Sequence, residues 1–105
     1  MPRRTEKRAY SRYEYRTPIE VAVGEHELSG LSINLSLGGM LLQTAETLPF
    51  GTRLRLRFRL PALDADTEVY ATVRWVTKTA MGVQFESLRA RDVWGLNRLF
   101  ENLSA

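Results

Sequence analysis

Apolar and polar residues alternate along most of this chain, and short turn sequences interrupt the alternation. Pro18-Ile19-Glu20-Val21-Ala22-Val23 alternates until Gly24 stops it. Glu27 to Asn34 forms a second strand candidate, with Leu28 and Ile33 as its larger apolar residues. Gly39 to Thr44 predicts a third, and Pro49-Phe50-Gly51 marks the turn after it. Arg53 to Leu60 alternates strictly over eight residues, and Pro61 ends the run. Thr67 to Val76 is rich in β-formers, and Met81 to Phe85 reads as the last strand. A half-buried strand produces this period-two pattern. Short connections between successive strands predict an antiparallel sheet closed into a small barrel.

The carboxy-terminal segment changes period. Val93, Leu96, Leu99, Phe100 and Leu103 recur at steps of three and four, as on one face of a helix. Ser87 or Asp92 is suited to start it, while Gly95 weakens it by roughly 1 kcal/mol relative to alanine. The apolar face can pack on the barrel or meet a partner or a second copy; packing on its own domain is the expectation.

At 105 residues with 44% apolar content, the chain suits one domain with one core. No apolar run is long enough to span a membrane, and the basic amino terminus lacks the apolar stretch of a secretory signal. With no cysteine, disulfides and thiol chemistry are excluded. These features suggest a cytoplasmic protein. His26 is the single histidine, flanked by Glu25 and Glu27 but with no cysteine or nucleophile beside it, so neither a metal site nor a histidine-driven nucleophile is expected. Asp64 and Asp66 look like turn residues, and no Gly-x-x-x-x-Gly-Lys loop is present. An enzyme is not expected.

The net charge of +3 is unevenly placed. Residues 1–16 carry Arg3, Arg4, Lys7, Arg8, Arg12 and Arg16 against Glu6 and Glu14, so the remainder is close to neutral. This segment reads as a flexible basic arm, residues 1–16, ahead of a barrel and helix over 17–105. It is either a solvated tail or an arm that meets an anion. Arg53, Arg55, Arg57 and Arg59 form a second basic feature, since alternate strand residues share a face at roughly 7 Å spacing. That stripe is read first as a solvated face neutralised by acids such as Glu68. The alternative is a surface for nucleic acid, with Tyr70 or Trp75 as a stacking platform.

Two short motifs remain. Arg8-Ala9-Tyr10-Ser11-Arg12 places two guanidinium groups four residues apart, and each can fork onto phosphate or stack on a base. Asn34-Leu35-Ser36-Leu37-Gly38-Gly39 supplies an amide, a hydroxyl and two glycines that permit positive φ or close backbone approach. Asn34 and Ser36 are then either ligand contacts or caps that satisfy their own turn.

In this order the two motifs resemble the signature of the PilZ domain family, bacterial receptors for cyclic di-GMP. That signature is Arg-x-x-x-Arg followed by (Asp/Asn)-x-Ser-x-x-Gly. Pro18-Ile19-Glu20-Val21, Ala71 to Val76 and Gly82-Val83-Gln84-Phe85 are similar to the family's barrel strands, so the resemblance runs from about residue 6 to 103. It implies a mostly β protein, a six-stranded antiparallel barrel with a C-terminal helix, standing alone without a fused output module.

The resemblance also implies a non-enzymatic receptor or adaptor with cyclic di-GMP as ligand and no metal or other cofactor. Arg8 and Arg12 would be the clamp, Asn34 and Ser36 would meet a guanine edge and a nearby phosphate, and Gly39 would keep the turn close to the ligand. Lys7, Arg16, Gly38 and Trp75 are secondary candidates. Arg4, Arg8, Arg12 and Arg16 form a ladder of step four, and the distance from Arg12 to Pro18 favours the Arg8/Arg12 pair. The arm would order on the ligand and signal to a protein effector in motility, pilus or exopolysaccharide control, as a monomer or homodimer. The alternatives are a nucleotide-independent adaptor and a small basic nucleic-acid-binding barrel.

Overall fold

Strict alternation becomes a ring of strands in the computed structural model, which describes residues 10–104. Seven strands and one helix follow in chain order: β1 (Tyr13–Glu14), β2 (Pro18–Val23), β3 (His26–Leu35), β4 (Gly39–Thr44), β5 (Arg53–Phe58), β6 (Thr67–Val76), β7 (Ala80–Phe85) and α1 (Ala90–Ser104). Every pairing is antiparallel, in the order β3-β2-β5-β6-β7-β4, and β4 returns to pair with β3. Six strands therefore close into the expected barrel. β1 is an extra strand on the edge of β3 that β2 also uses.

Inward positions fill the barrel. Ile19 and Val21 of β2, Leu54, Leu56 and Phe58 of β5, and Val69, Ala71 and Val73 of β6 are all buried, while the residues between them on β5 are exposed. Alternation on β5 continues past the paired strand. Pairing stops at Phe58↔Thr67, yet Leu60 is fully buried beyond it, just before the turn in which Leu63 N–H donates to the Leu60 carbonyl. The β2–β3 hairpin turns on Gly24-Glu25 with Val23 opposite His26. Gly24 takes φ 59° while Glu25 stays at negative φ, the pattern of a type II′ turn with glycine first.

Helix α1 packs on its own barrel. Leu96, Leu99 and Phe100 are buried, Val93 is half-buried, and Leu103 stays exposed. Gly95 has a packing reason: a Cβ there would lie 2.9 Å from the side chain of Leu63. The helix starts at Ala90, so neither Ser87 nor Asp92 is its first flanking residue, and Asp92 acts from within the helix. Its carboxylate sits in the first turn and accepts the Arg89 N–H at 3.4 Å, as the distal half of a capping box does. The same buried carboxylate accepts Thr67 Oγ1–H at 3.2 Å and Arg89 Nε–H at 3.1 Å, which ties the helix start to β6.

Part of the segment 1–16 is paired with the barrel. Residues 13 and 14 already pair with Leu35 and Asn34, and the Tyr13 ring stacks on Phe100 with centroids 4.3 Å apart. Two residues are too few to leave a periodic signal, so β1 was invisible in the alternation. Buried Ser32 holds the step from β1 to β2. Its hydroxyl donates to the Tyr15 carbonyl and accepts Thr17 N–H at 2.9 Å.

Two stability predictions follow from this packing. Asp92→Ala leaves the Thr67 hydroxyl and the Arg89 amide without their acceptor, so denaturant unfolding is expected to show a loss of about 2–3 kcal/mol. Gly39→Ala would place a Cβ 2.2 Å from the Val83 carbonyl oxygen across β4–β7. Backbone on both sides leaves little room to yield, and the same measurement should show a loss of about 3 kcal/mol or more.

Candidate functional site

The turn between β3 and β4 is built around one hydroxyl. Ser36 Oγ accepts the N–H groups of Gly38 and Gly39, each at 3.1 Å, and donates to the Gly39 carbonyl at 3.3 Å. Ser36 N–H also donates to that carbonyl at 2.9 Å. A hydroxyl has one donor and two acceptor positions, so the turn uses the full capacity of Ser36. Ser36 thus makes the bonds of a cap at a position that also lines the cleft described below.

The glycines serve a different purpose from the positive φ considered above. Among the described residues only Gly24 and Gly51 have positive φ. Gly39 is needed because β7 passes too close for a side chain, and Gly38 because the Tyr10 ring lies against it; a Cβ there would sit 2.7 Å from that ring. The chain thus brings the segment before β1, the β3–β4 turn and the β7 backbone into direct contact.

An irregularity in β6 supplies the opposite wall. Val73 pairs with Val83, but Trp75 pairs with Gly82, so one extra residue is inserted between them. Such a bulge re-aims side chains, and here Arg74 and Trp75 are both exposed. Trp75 lies over Gly82, where a Cβ would meet the indole nitrogen at 2.6 Å. Arg74 Nε donates to Gln84 Oε1 at 2.8 Å.

Between these walls lies a cleft of ≈ 320 Å³ lined by Tyr10, Arg12, Ser36, Gly38, Gly39, Met40, Arg74, Trp75, Gly82, Val83 and Gln84. Arg12 Nη1 donates to Asn34 Oδ1 at 3.0 Å and so joins the two sequence motifs at the cleft edge. The lining holds two guanidinium groups and two aromatic rings, with no carboxylate among the described residues. That combination favours a flat anion, which can stack and pair with guanidinium at once.

Of the residues singled out in the sequence, Arg12, Asn34, Ser36, Gly38, Gly39 and Trp75 meet here. Arg16 is exposed but does not line the cleft. Lys7 and Arg8 lie outside the described residues. Tyr10, Arg74, Gly82 and Gln84 were missed. Tyr10 stood in plain view inside the arginine motif, whereas Arg74 and Gln84 depend on the bulge and on cross-strand pairing.

The arginine stripe on β5 is largely neutralised. Arg53 pairs with Glu86 through two hydrogen bonds at 2.6 and 3.1 Å, Arg57 pairs with Glu20, and Arg59 pairs with Asp66 at 3.1 Å. The hydrogen bond from Arg53 holds the Glu86 carboxyl below the usual carboxylate range. This agrees with the solvated-face reading. His26 is exposed and paired with Glu46 at 3.5 Å. No group of three potential metal ligands occurs among the described residues, and no helix among them is long and apolar enough to cross a membrane.

Comparison with solved structures finds the same architecture. The inhibitor of motility MotI (DgrA) from Bacillus subtilis aligns with TM-score 0.74 and 27% identity, over 96% of this chain and 57% of MotI. This chain therefore spans little more than half of that protein's length. The PilZ domain of YcgR from Escherichia coli, solved with cyclic di-GMP, aligns with TM-score 0.76 and 16% identity, covering 94% and 92% of the two chains. The PilZ domain of CeSA from a cellulose-synthesizing bacterium aligns with TM-score 0.70 and 19% identity, covering 90% and 99%. No curated protein sequence matches the chain. The PilZ domain family model matches residues 3–102, nearly the whole chain, and with that match the barrel, the turn and the cleft find their place: the chain belongs to the PilZ domain family.

Proposed function

We propose that this protein is a receptor for cyclic di-GMP that signals through a protein partner. One observation carries the reading: Arg12, Asn34 and the Ser36–Gly39 turn, far apart in sequence, converge on a cleft with cationic and aromatic walls. Cyclic di-GMP combines flat guanine bases with phosphodiester charge, and the lining offers partners for both. The family match supports a ligand-binding receptor or adaptor rather than an enzyme.

In this reading Arg8 and Arg12 clamp the ligand as the basic arm closes onto it. The Asn34 amide meets a guanine edge and exchanges its bond to Arg12 for bonds to the ligand. Ser36 acts through the turn it holds, Gly38 and Gly39 keep the floor low, and Trp75 offers its indole face. Lys7 and Arg16 contribute charge at longer range. No metal is required. Each arginine–phosphate contact is charge-assisted and worth about 1.5–3 kcal/mol net. The effector is a protein in the cytoplasm. Motility is the first process to examine, since MotI is an inhibitor of motility; pilus and exopolysaccharide control follow.

Calorimetric titration with cyclic di-GMP should show binding that weakens about tenfold to a hundredfold on Arg12→Ala or Arg8→Ala. Binding should be lost within the measurable range in the double variant. Absence of heat with the wild-type protein would turn the assignment to a nucleotide-independent adaptor. Trp75 and Trp94 are the two tryptophans. Saturating ligand is expected to change the emission of the wild type, and Trp75→Phe, which keeps Trp94, should remove most of that change. An unchanged response in Trp75→Phe would place the ligand away from the cleft.

A further inference from the structure

The cleft and helix α1 share a wall. On an extended segment successive side chains point to opposite sides, and residues 12 and 13 do so. Arg12 faces outward and donates to Asn34 at 3.0 Å. Tyr13 faces the barrel end and stacks on Phe100 of α1, centroids 4.3 Å apart and planes 11° from parallel. Tyr10, a little upstream, lines the cleft and also a groove of ≈ 480 Å³ bounded by Tyr13, Asn97, Phe100 and Glu101.

The attachment of this wall is uneven. At its carboxy-terminal end, Ser32 is fully buried and its hydroxyl bonds to both the Tyr15 carbonyl and Thr17 N–H. The pairing with β3 also slips by one residue there, from Glu14↔Asn34 to Pro18↔Leu31. Upstream of that point the two-residue strand β1, the Arg12–Asn34 bond, the Tyr13–Phe100 stack and the Tyr10 ring against Gly38 help to fasten the segment. A short ladder of this kind opens more readily than the barrel strands beneath it.

We propose that residues 10–14 form a lever pivoting at Ser32, through which occupation of the cleft is reported to the carboxy-terminal half of α1. A ligand that draws Arg12 away from Asn34 displaces the backbone of residue 12. Tyr13 moves with it, and its stack on Phe100 is changed. Asn97 and Glu101, exposed on the same stretch of helix, then present a different surface to an effector. This rests on the receptor reading only for the identity of the ligand. The mechanical link itself belongs to the unliganded protein.

Amide hydrogen exchange on the full chain tests both parts. In the absence of ligand, Arg12→Ala removes one anchor of the lever and should speed exchange in residues 97–104 by about fivefold. In a Tyr13→Ala background the same change at residue 12 should have no further effect on α1. With cyclic di-GMP at saturation, exchange in residues 97–104 should change in the wild type. In Tyr13→Ala it should not, while calorimetry shows that this variant still binds. An α1 segment indifferent to Arg12→Ala, or one that responds equally with and without Tyr13, overturns the lever. If cyclic di-GMP gives no heat at all, the receptor reading falls, and the unliganded comparison alone decides the mechanical link. Tyr13→Phe, which keeps the ring, should restore coupling in both arms and so separates loss of the stack from loss of folding.

Discussion

Closure of the barrel through β3 is the constraint on which the other features depend. Six strands can form a ring without a free edge only if the first and last partners meet. β3 meets this demand by being long enough to take β2 along its first half, β4 along its second, and β1 at its end on the β2 side. The β3–β4 register shifts between Ser32 and Asn34, and the buried Ser32 hydroxyl bonds the Tyr15 carbonyl and Thr17 N–H at the step between β1 and β2. The same closure presses β4 against β7 so tightly that position 39 has no space for a Cβ.

The cleft is a by-product of this geometry. Because β4 and β7 approach so closely, the backbone at Gly39, Gly82 and Val83 forms a low floor. Because β6 carries an extra residue opposite Gly82, a tryptophan and an arginine that would otherwise alternate sides are both turned outward. The Ser36 turn, with Tyr10 and Arg12 beside it, forms one rim, and Arg74 and Trp75 form the other. Arg74 and Trp75 stand on the bulged strand β6, while Tyr10 and Arg12 stand on the segment before β1.

Charge is distributed with similar economy. The densest run of arginine in the chain, on β5, is matched by Glu20, Asp66 and Glu86 from neighbouring elements and carries little net field. At the cleft, Arg12 donates to the amide oxygen of Asn34 and Arg74 to that of Gln84. The stripe is the more conspicuous of the two basic features in the sequence.

The barrel strands were legible because burial on one face imposes a period of two, which the chain shows for β2, β5 and most of β6, while β4 and β7 were legible as short apolar runs between turns. The helix was legible for the same reason at its own period. The two motifs that meet at the cleft were legible because their residue types are few and their spacing is tight. Other features were decided in three dimensions. β1 is too short to have a period. The bulge in β6 leaves Ala71 to Val76 looking like an uninterrupted strand, so Arg74 and Gln84 carried no local signal. Ser36 holds its own turn because the amides of Gly38 and Gly39 come to lie within reach of its hydroxyl. Gly38, Gly39, Gly82 and Gly95 are required by what passes beside them, and the neighbours that exclude a side chain there come from residues between 10 and 83 that only the closed fold brings together. Local pattern determines which face of an element is buried, whereas contacts between distant segments determine which side chains share a site.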